Sequence, residues 1–252
     1  MRIVGSSCST PRPGRASSCY LLRTGNTVIA LDFGTGALSA LRASLDYSKL
    51  DAIVISHMHA DHFLDLIPLR YALKYGPSRI ERRLPVYVPP SGVSMLTRLV
   101  SAFETEGRPE FFDPVMEPAA YDPGSQLVVG DVKITFARTL HPIETYAMRV
   151  ESAGTVVVYS ADTAPCDAVV ELARDADLFV CEATLGTDGV DVRPRMHATA
   201  REAADMAKRA RVKHLVLSHY GSECDPQAMH AAATAVFAER ITIADDGVTL
   251  PA

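Results

Sequence analysis

Seven consecutive residues, Ser56-His57-Met58-His59-Ala60-Asp61-His62, constrain this chain more than any other stretch. Three imidazoles and a carboxylate follow directly on the apolar run Ala52-Ile53-Val54-Ile55, which reads as a buried strand. Side chains at i and i+2 of a tight turn can converge on one point, and so can those at i+4 and i+5. The spacing His-x-His-x-Asp-His therefore offers two adjacent ligand pairs and suits two metal ions better than one. Imidazole and carboxylate are donors that zinc, iron and manganese all accept. A lone core histidine is usually structural, and an isolated His-x-His pair is often surface. Four ligand-type residues at this spacing behind a buried strand predict a metal site.

The rest of the chain alternates strand-like and helix-like patterns, with no linker and no low-complexity tract. Its 252 residues, 48% hydrophobic and 22% charged, predict a single domain spanning residues 1–252 with a sizeable core. Strands are expected at Met1–Gly5, Cys19–Arg23, Thr27–Asp32, Ala52–Ser56 and Pro85–Val88. Leu38, Leu41 and Leu45 have helical spacing, as do the stretches Asp61–Tyr75 and Val93–Glu106. Gly107–Gln126, rich in proline, glycine and acid, reads as an irregular surface excursion. Three readings of it stay open, a wall of the substrate cleft, a subunit contact or a well-packed loop; on the first, it and the segment Tyr75–Pro90 are lips that supply apolar walls. Further strands are expected at Lys133–Ala137, Tyr146–Glu151, Thr155–Ser160, Leu178–Glu182, His214–Ser218, Ile241–Ile243 and Val248–Leu250. Helices should start near Pro165, Thr199 and Pro226, and Thr199-x-x-Glu202 has the spacing of a capping box. Asp61, Asp162, Glu182 and His219 each fall at or just past the carboxyl end of a predicted strand, where rigid supports gather side chains on one rim.

The formal net charge of −5 advertises no polyanionic partner. The basic clusters Arg79-Arg82-Arg83, Arg193-Arg195 and Lys208-Arg209-Arg211-Lys213 read as solvated faces. Five cysteines without a Cys-x-x-Cys pair read as reduced thiols. With no apolar run of signal-peptide or membrane-spanning type, a cytoplasmic protein is expected. Asp32-Phe33-Gly34-Thr35-Gly36 lacks the third glycine of a nucleotide loop and reads as a tight turn, with Asp32 at most a support behind the metals. His214 and His230 read as structural.

The segment His57–His62 resembles the signature of the metallo-β-lactamase-fold hydrolases. The family's later ligand positions follow in order, at His141, Asp162 and His219. The resemblance implies an α/β fold, an αββα sandwich of two facing mixed β-sheets with helices outside. It implies that one metal takes His57, His59 and His141, the other Asp61, His62 and His219, and that Asp162 bridges them. Two divalent ions are the implied cofactors, zinc ahead of manganese or iron. Such a pair activates water near neutral pH and clamps the oxygens of an in-line displacement. Asp61 is expected both to bind metal and to orient the attacking hydroxide. His62 in place of arginine argues against a β-lactamase site, and His59 in place of glutamate against the di-iron reductases of the superfamily. Hydrolysis is favoured.

Glu182 and His197 resemble the couple that ribonuclease Z and its relatives use to protonate the leaving group. A carboxylate that holds an imidazole in one tautomer is the physical reason for such a pair. The alternative is a loop histidine packed beside Ala200, Ala203, Ala204 and Ala207. The overall pattern is similar to the short-form ribonuclease Z-like hydrolases, which include bacterial cyclic-nucleotide phosphodiesterases. Bacterial ribonuclease Z grips tRNA with an arm inserted between the third and fourth metal motifs. Here two strands consume nearly all of the interval from His141 to Asp162. A small phosphodiester, first of all 3′,5′-cyclic AMP, is therefore the expected substrate. A tRNA-trimming ribonuclease is the alternative, and a catalytically silent metal-binding regulator the second. Nucleic acid is a disfavoured partner, no membrane is expected, and the resemblance implies a homodimer.

Overall fold

Strands β3 (Thr27–Leu31), β4 (Ala52–Val54), β11 (Leu178–Glu182) and β12 (His214–Ser218) are buried at every position. Strands covered on both faces read as continuous apolar runs, and these four lie in the parallel parts of two sheets. The computed structural model describes residues 1–103, 111–191 and 195–251. Its first sheet has the order β1-β2-β3-β4-β5-β6, adding β1 (Arg2–Gly5), β2 (Cys19–Thr24), β5 (Leu84–Val88) and β6 (Met116–Ala120). The second has the order β13-β12-β11-β10-β9-β8-β7, adding β7 (Leu127–Val129), β8 (Val132–Arg138), β9 (Tyr146–Ser152), β10 (Thr155–Tyr159) and β13 (Arg240–Ile243). Each sheet opens as an antiparallel meander and continues in parallel pairs, the switch coming at β3 and at β10.

Alternation along the strands sorts side chains into three layers. Ile29, Leu31, Val157, Tyr159, Val180 and Val216 fill the space between the sheets. Val28 and Ala30 face the opposite way, toward α1 (Ala37–Arg42), α3 (Leu66–Tyr75) and α4 (Gly92–Val100). Val158, Leu215 and Leu217 face α5 (Asp167–Leu172), α6 (Ala200–Ala210) and α7 (Pro226–Thr234). The architecture is the expected αββα sandwich. The capping box of Thr199 and Glu202 starts α6, whose buried alanines press on the second sheet, and Asp225 with Pro226 starts α7.

Several local expectations are corrected. The helical stretch from Asp61 is broken into α2 (Ala60–Phe63) and α3, so Asp61 lies in a first helical turn, not at a strand end. The stretch taken as an irregular excursion contains β6, which pairs in parallel with β5 despite Pro118. In Tyr75–Pro90 the expected strand is present as β5, inside the first sheet. Residues 104–110 and 192–194, which include Glu106, Gly107 and Arg193, lie outside the described residues. Near Val248–Leu250 there is a single bridge, Arg2 to Thr249, instead of a strand. Pro165 precedes α5, whose N-cap is Cys166. Among the described residues no helix is long and apolar enough to cross a membrane.

Candidate metal centre

The carboxyl ends of the parallel strands deliver the site. The turn after β4 carries His57 and His59, and His59, still extended, is the N-cap of α2, whose first turn holds Asp61 and His62. Gly34 lets the loop after β3 press against that turn, because a Cβ there would lie 1.9 Å from the Asp61 carbonyl oxygen. His141 comes from the loop between β8 and β9, Asp162 from the turn after β10, and His219 from the residue after β12. Asp32, Ala161 and His219, each near such a strand end, have positive φ of 58°, 52° and 56°. Backbone in that region costs a non-glycine residue of order 1–3 kcal/mol and persists where surrounding structure enforces it. The His219 N–H is held by the Ser6 carbonyl at 2.9 Å.

These side chains form two adjoining groups. His57, His59, His141 and Asp162 offer one ligand atom each within 4.8 Å of one another, and so do Asp61, His62 and His219. In the first group His59 Nδ1 lies 3.2 Å from both His57 Nε2 and His141 Nε2. In the second, His219 Nε2 lies 3.2 Å from both His62 Nε2 and Asp61 Oδ2. Asp162 spans them: Oδ2 is 3.6 Å from His57 Nε2, while Oδ1 is 3.3 Å from His62 Nε2 and 3.4 Å from His219 Nε2. Asp162 Oδ1 is buried and has no hydrogen-bond partner among the described residues.

This arrangement fits cations. Two nitrogens about 2.0–2.1 Å from a tetrahedral zinc ion stand ~3.3 Å apart, which is the spacing of these imidazole pairs. An orphaned buried carboxylate oxygen is costly unless something positive completes it. The local electrostatics are those of a strongly negative pocket lined by neutral imidazoles. Burial opposes charge on His62, but Asp162, Asp32 and Asp61 overcome it and hold the ring's pKa well above the usual histidine value. Burial raises the Asp162 carboxyl, yet His219, His62 and His57 hold it well below the usual range. Burial keeps His57, His59 and His141 below the ordinary histidine pKa, which favours the neutral form that binds metal.

A layer of buried polar groups fixes these rings. Asp32, wholly buried, takes the Nδ1–H of His62 at 2.7 Å, the Ser56 N–H at 2.6 Å, the Ser56 hydroxyl at 2.8 Å and the Tyr159 hydroxyl at 2.7 Å. Ser56 Oγ in turn lies 3.0 Å from His57 Nδ1. His141 Nδ1 is 3.2 Å from the Met196 carbonyl. In the second sheet Glu182 takes backbone N–H groups from Thr163, Thr184 and Ala198, the Thr184 hydroxyl, and His197 Nδ1 at 2.9 Å. Burial disfavours a charged His197, but the bond and charge of Glu182 outweigh it and push the ring's pKa up to about 9. Cations bound next door would oppose that rise. A nitrogen of His197 also lies within 4.8 Å of ligand atoms of Asp162 and His219, so the Glu182–His197 pair borders the same centre.

A family profile described as a beta-lactamase superfamily domain matches residues 27–220. The chain belongs to the metallo-β-lactamase fold family. It is 31% identical over 247 residues to a Bacillus subtilis protein named probable metallo-hydrolase YhfI, over 97% of this chain and 96% of that one. The crystal structure of YhfI matches with a TM-score of 0.87 at 29% identity, covering 98% of this chain and 96% of the other. A ribonuclease Z of Mycobacterium bovis is 28% identical over 268 residues, covering 97% of this chain and 95% of that enzyme. A diphosphatase from the PhnP family shares the fold, with a TM-score of 0.74 at 19% identity over 99% of this chain and 96% of the other. The protein is thus a metallo-hydrolase of the β-lactamase superfamily, and its His/Asp clusters are compatible with the dinuclear site typical of the fold.

Within this metallo-β-lactamase fold, all of the site residues anticipated from the sequence converge: His57, His59, Asp61, His62, His141, Asp162 and His219, with Glu182 and His197 alongside. Asp32 lies behind the ligand set as a support, binding His62 directly. Sequence reasoning missed Ser56, Tyr159 and Thr184. Their only signal is a hydroxyl beside a strand end, which is common in any α/β chain. Tyr20, the partner of Tyr159, was missed as well. Their rings lie 4.8 Å apart, and each reaches across to the opposite sheet, Tyr20 to Ser218 at 2.7 Å and Tyr159 to Asp32.

Proposed function

We propose that the protein is a dinuclear metal-dependent phosphodiesterase that acts on small phosphodiesters, with 3′,5′-cyclic AMP, opened to AMP, as the leading substrate. In this reading His57, His59 and His141 hold one ion, Asp61, His62 and His219 the other, and Asp162 joins them. The observation that supports it most is Asp162 itself, with one oxygen toward each cluster and one of them orphaned. When bound, two divalent ions, zinc first, would supply Lewis-acid polarisation of the phosphoryl oxygens and a nucleophilic water at neutral pH.

The chain's own groups do the rest. His219 Nε2 and Asp61 Oδ2 lie 3.2 Å apart at one ligand position, so Oδ2 is the oxygen that would face the ion and Oδ1 the acceptor left for a proton of the attacking water. Glu182 Oε1 takes the Nδ1–H of His197, so the proton delivered to the departing 3′ oxygen comes from Nε2. The His197 backbone N–H, held by Asp191 at 2.7 Å, keeps that ring in place. As the water oxygen bonds to phosphorus, the bond from phosphorus to the 3′ oxygen breaks.

Substrate size rests on the interval from His141 to Asp162. It is filled by the β9–β10 hairpin, whose turn is Ala153-Gly154, and contains no arm. An RNA substrate also needs unpaired cations remote from the cut. Of the basic clusters, Arg83 pairs with Asp113, Arg195 with Glu202, Arg209 with Asp167, Arg211 with Asp175 and Lys213 with Asp177, while Arg79, Arg82 and Lys208 form no ion pair among the described residues, so the size reading rests on the missing arm. The likeness to ribonuclease Z favours tRNA 3′ processing as the second reading. Incubation of the metal-replete protein with cyclic mononucleotides, cyclic dinucleotides and a precursor tRNA, read by mass spectrometry, separates the two. AMP from cyclic AMP with little tRNA cleavage at physiological salt is expected. Site-specific tRNA trimming without cyclic-nucleotide turnover would install the second reading, and no turnover at all would leave a silent metal-binding regulator.

A further inference from the structure

The two ligand groups are not backed alike, and the difference is chemical. The group of Asp61, His62 and His219 has a carboxylate of its own in addition to its share of Asp162, whereas the group of His57, His59 and His141 has only that share. Both imidazoles of the Asp61 group, His62 and His219, are buried, as are His57 and His141 of the other group, but His59 of that group is partly exposed. We propose that the Asp61–His62–His219 position holds its cation more tightly than the other, and that Thr184 is the positioning residue responsible on the His219 side. This rests on the two-metal reading above.

The argument for Thr184 is one of proton counting. Its hydroxyl lies 2.8 Å from Glu182 Oε2, 2.8 Å from His219 Nδ1 and 3.0 Å from the His219 carbonyl. One hydroxyl proton can serve one of these, and a carboxylate is a stronger acceptor than a carbonyl. With the proton given to Glu182, Oγ1 accepts from the Nδ1–H of His219, which leaves the Nε2 lone pair facing Asp61 and Asp162. Glu182 thereby backs His219 through one hydroxyl, as Asp32 backs His62 directly. Both imidazoles of this position thus have a carboxylate behind them, an arrangement that raises ligand basicity. In the other group only His57 has one, through Ser56 to Asp32. His141 relies on the Met196 carbonyl, and among the described residues nothing bonds the Nε2 edge of His59.

The test is a titration of metal-free full-length protein with Co²⁺, read by visible absorption and calorimetry. Two steps at least ~10-fold apart in Kd are expected, with Thr184→Val weakening the tighter one by ~10–100-fold and leaving the weaker unchanged. Thr184→Ser, which keeps the hydroxyl, should restore wild-type behaviour. His59→Ala should remove the weaker step alone. Two steps of equal affinity in the wild type, an equal shift of both in Thr184→Val, failure of Thr184→Ser to rescue, or loss of the tighter step in His59→Ala would each overturn the proposal. Failure of the wild type to bind metal at all would instead sink the two-metal reading, so the two failures are distinguishable.

Discussion

Asp32 and Glu182 hold matching places in the two halves of the molecule, and the contrast between them organises the site. Asp32 follows β3 of the first sheet and Glu182 ends β11 of the second, and both are buried. Each holds one imidazole directly and another through a hydroxyl. Asp32 takes His62 directly and His57 by way of Ser56; Glu182 takes His197 directly and His219 by way of Thr184. The difference lies in where the rings go. Both rings tied to Asp32 belong to the proposed ligand set, whereas Glu182 divides between one ligand and one histidine reserved for a proton. On the proposed reading, the same outer scaffold would serve metal binding in one half, and metal binding joined to proton delivery in the other.

Substitutions can break or sharpen this contrast. The largest effect is expected where the halves meet: Asp162→Ala should take metal content from near two ions per chain to below one and abolish turnover, as elemental analysis and rate assays would show. A variant that kept both ions would separate Asp162 from the bridging role. Next is Gly34→Ala, whose methyl group would collide with the Asp61 carbonyl. It should cost about 1–3 kcal/mol in a denaturant melt and weaken the Asp61–His62–His219 position. An unperturbed melt would show that the loop after β3 yields freely.

Asp32→Asn and Glu182→Gln then compare the halves directly. Asp32→Asn should lose ~10–100-fold in metal affinity without altering how rate depends on the leaving group. Glu182→Gln should steepen that dependence. Identical profiles would dissolve the contrast. The smallest effect belongs to Asp131, at the opposite end of the sandwich. There the hydroxyls of Thr27, Ser152 and Thr24 hold its carboxyl down to about 2. A depressed carboxylate stabilises the fold above its unfolded pKa near ~3.9, and that contribution is lost as pH falls through the folded value. Asp131→Asn should therefore melt slightly earlier at pH 7, with the gap closing between about pH 4 and pH 2, and with metal content and rate unchanged. A gap that widened on acidification would contradict the sign.

Much of the site is legible in the sequence because metal ligands come as a spaced cluster of uncommon residue types. His57–His62 are local, and His141, Asp162 and His219 each follow a readable strand. The outer layer is harder to read. Thr184 and Ser56 are ordinary hydroxyl residues whose partners are brought together by the fold, and the Tyr20–Tyr159 pair joins opposite sheets. The fold shows the same divide. Fully buried parallel strands announce themselves as apolar runs, while β6 hides because Glu117 and Pro118 interrupt its pattern at a sheet edge. The break between α2 and α3 leaves helical periodicity nearly intact on either side, so spacing alone reads one helix.

The most direct test of the division of labour is His197→Ala, assayed for metal content and for rate on two substrates. On cyclic AMP, whose departing oxygen needs a proton, turnover should fall ~10²–10⁴-fold, while both ions stay bound. On bis(p-nitrophenyl) phosphate, whose leaving group needs little protonation, the loss should be much smaller. Equal losses on the two substrates, or loss of an ion, would contradict the account and make His197 a ligand or a structural residue.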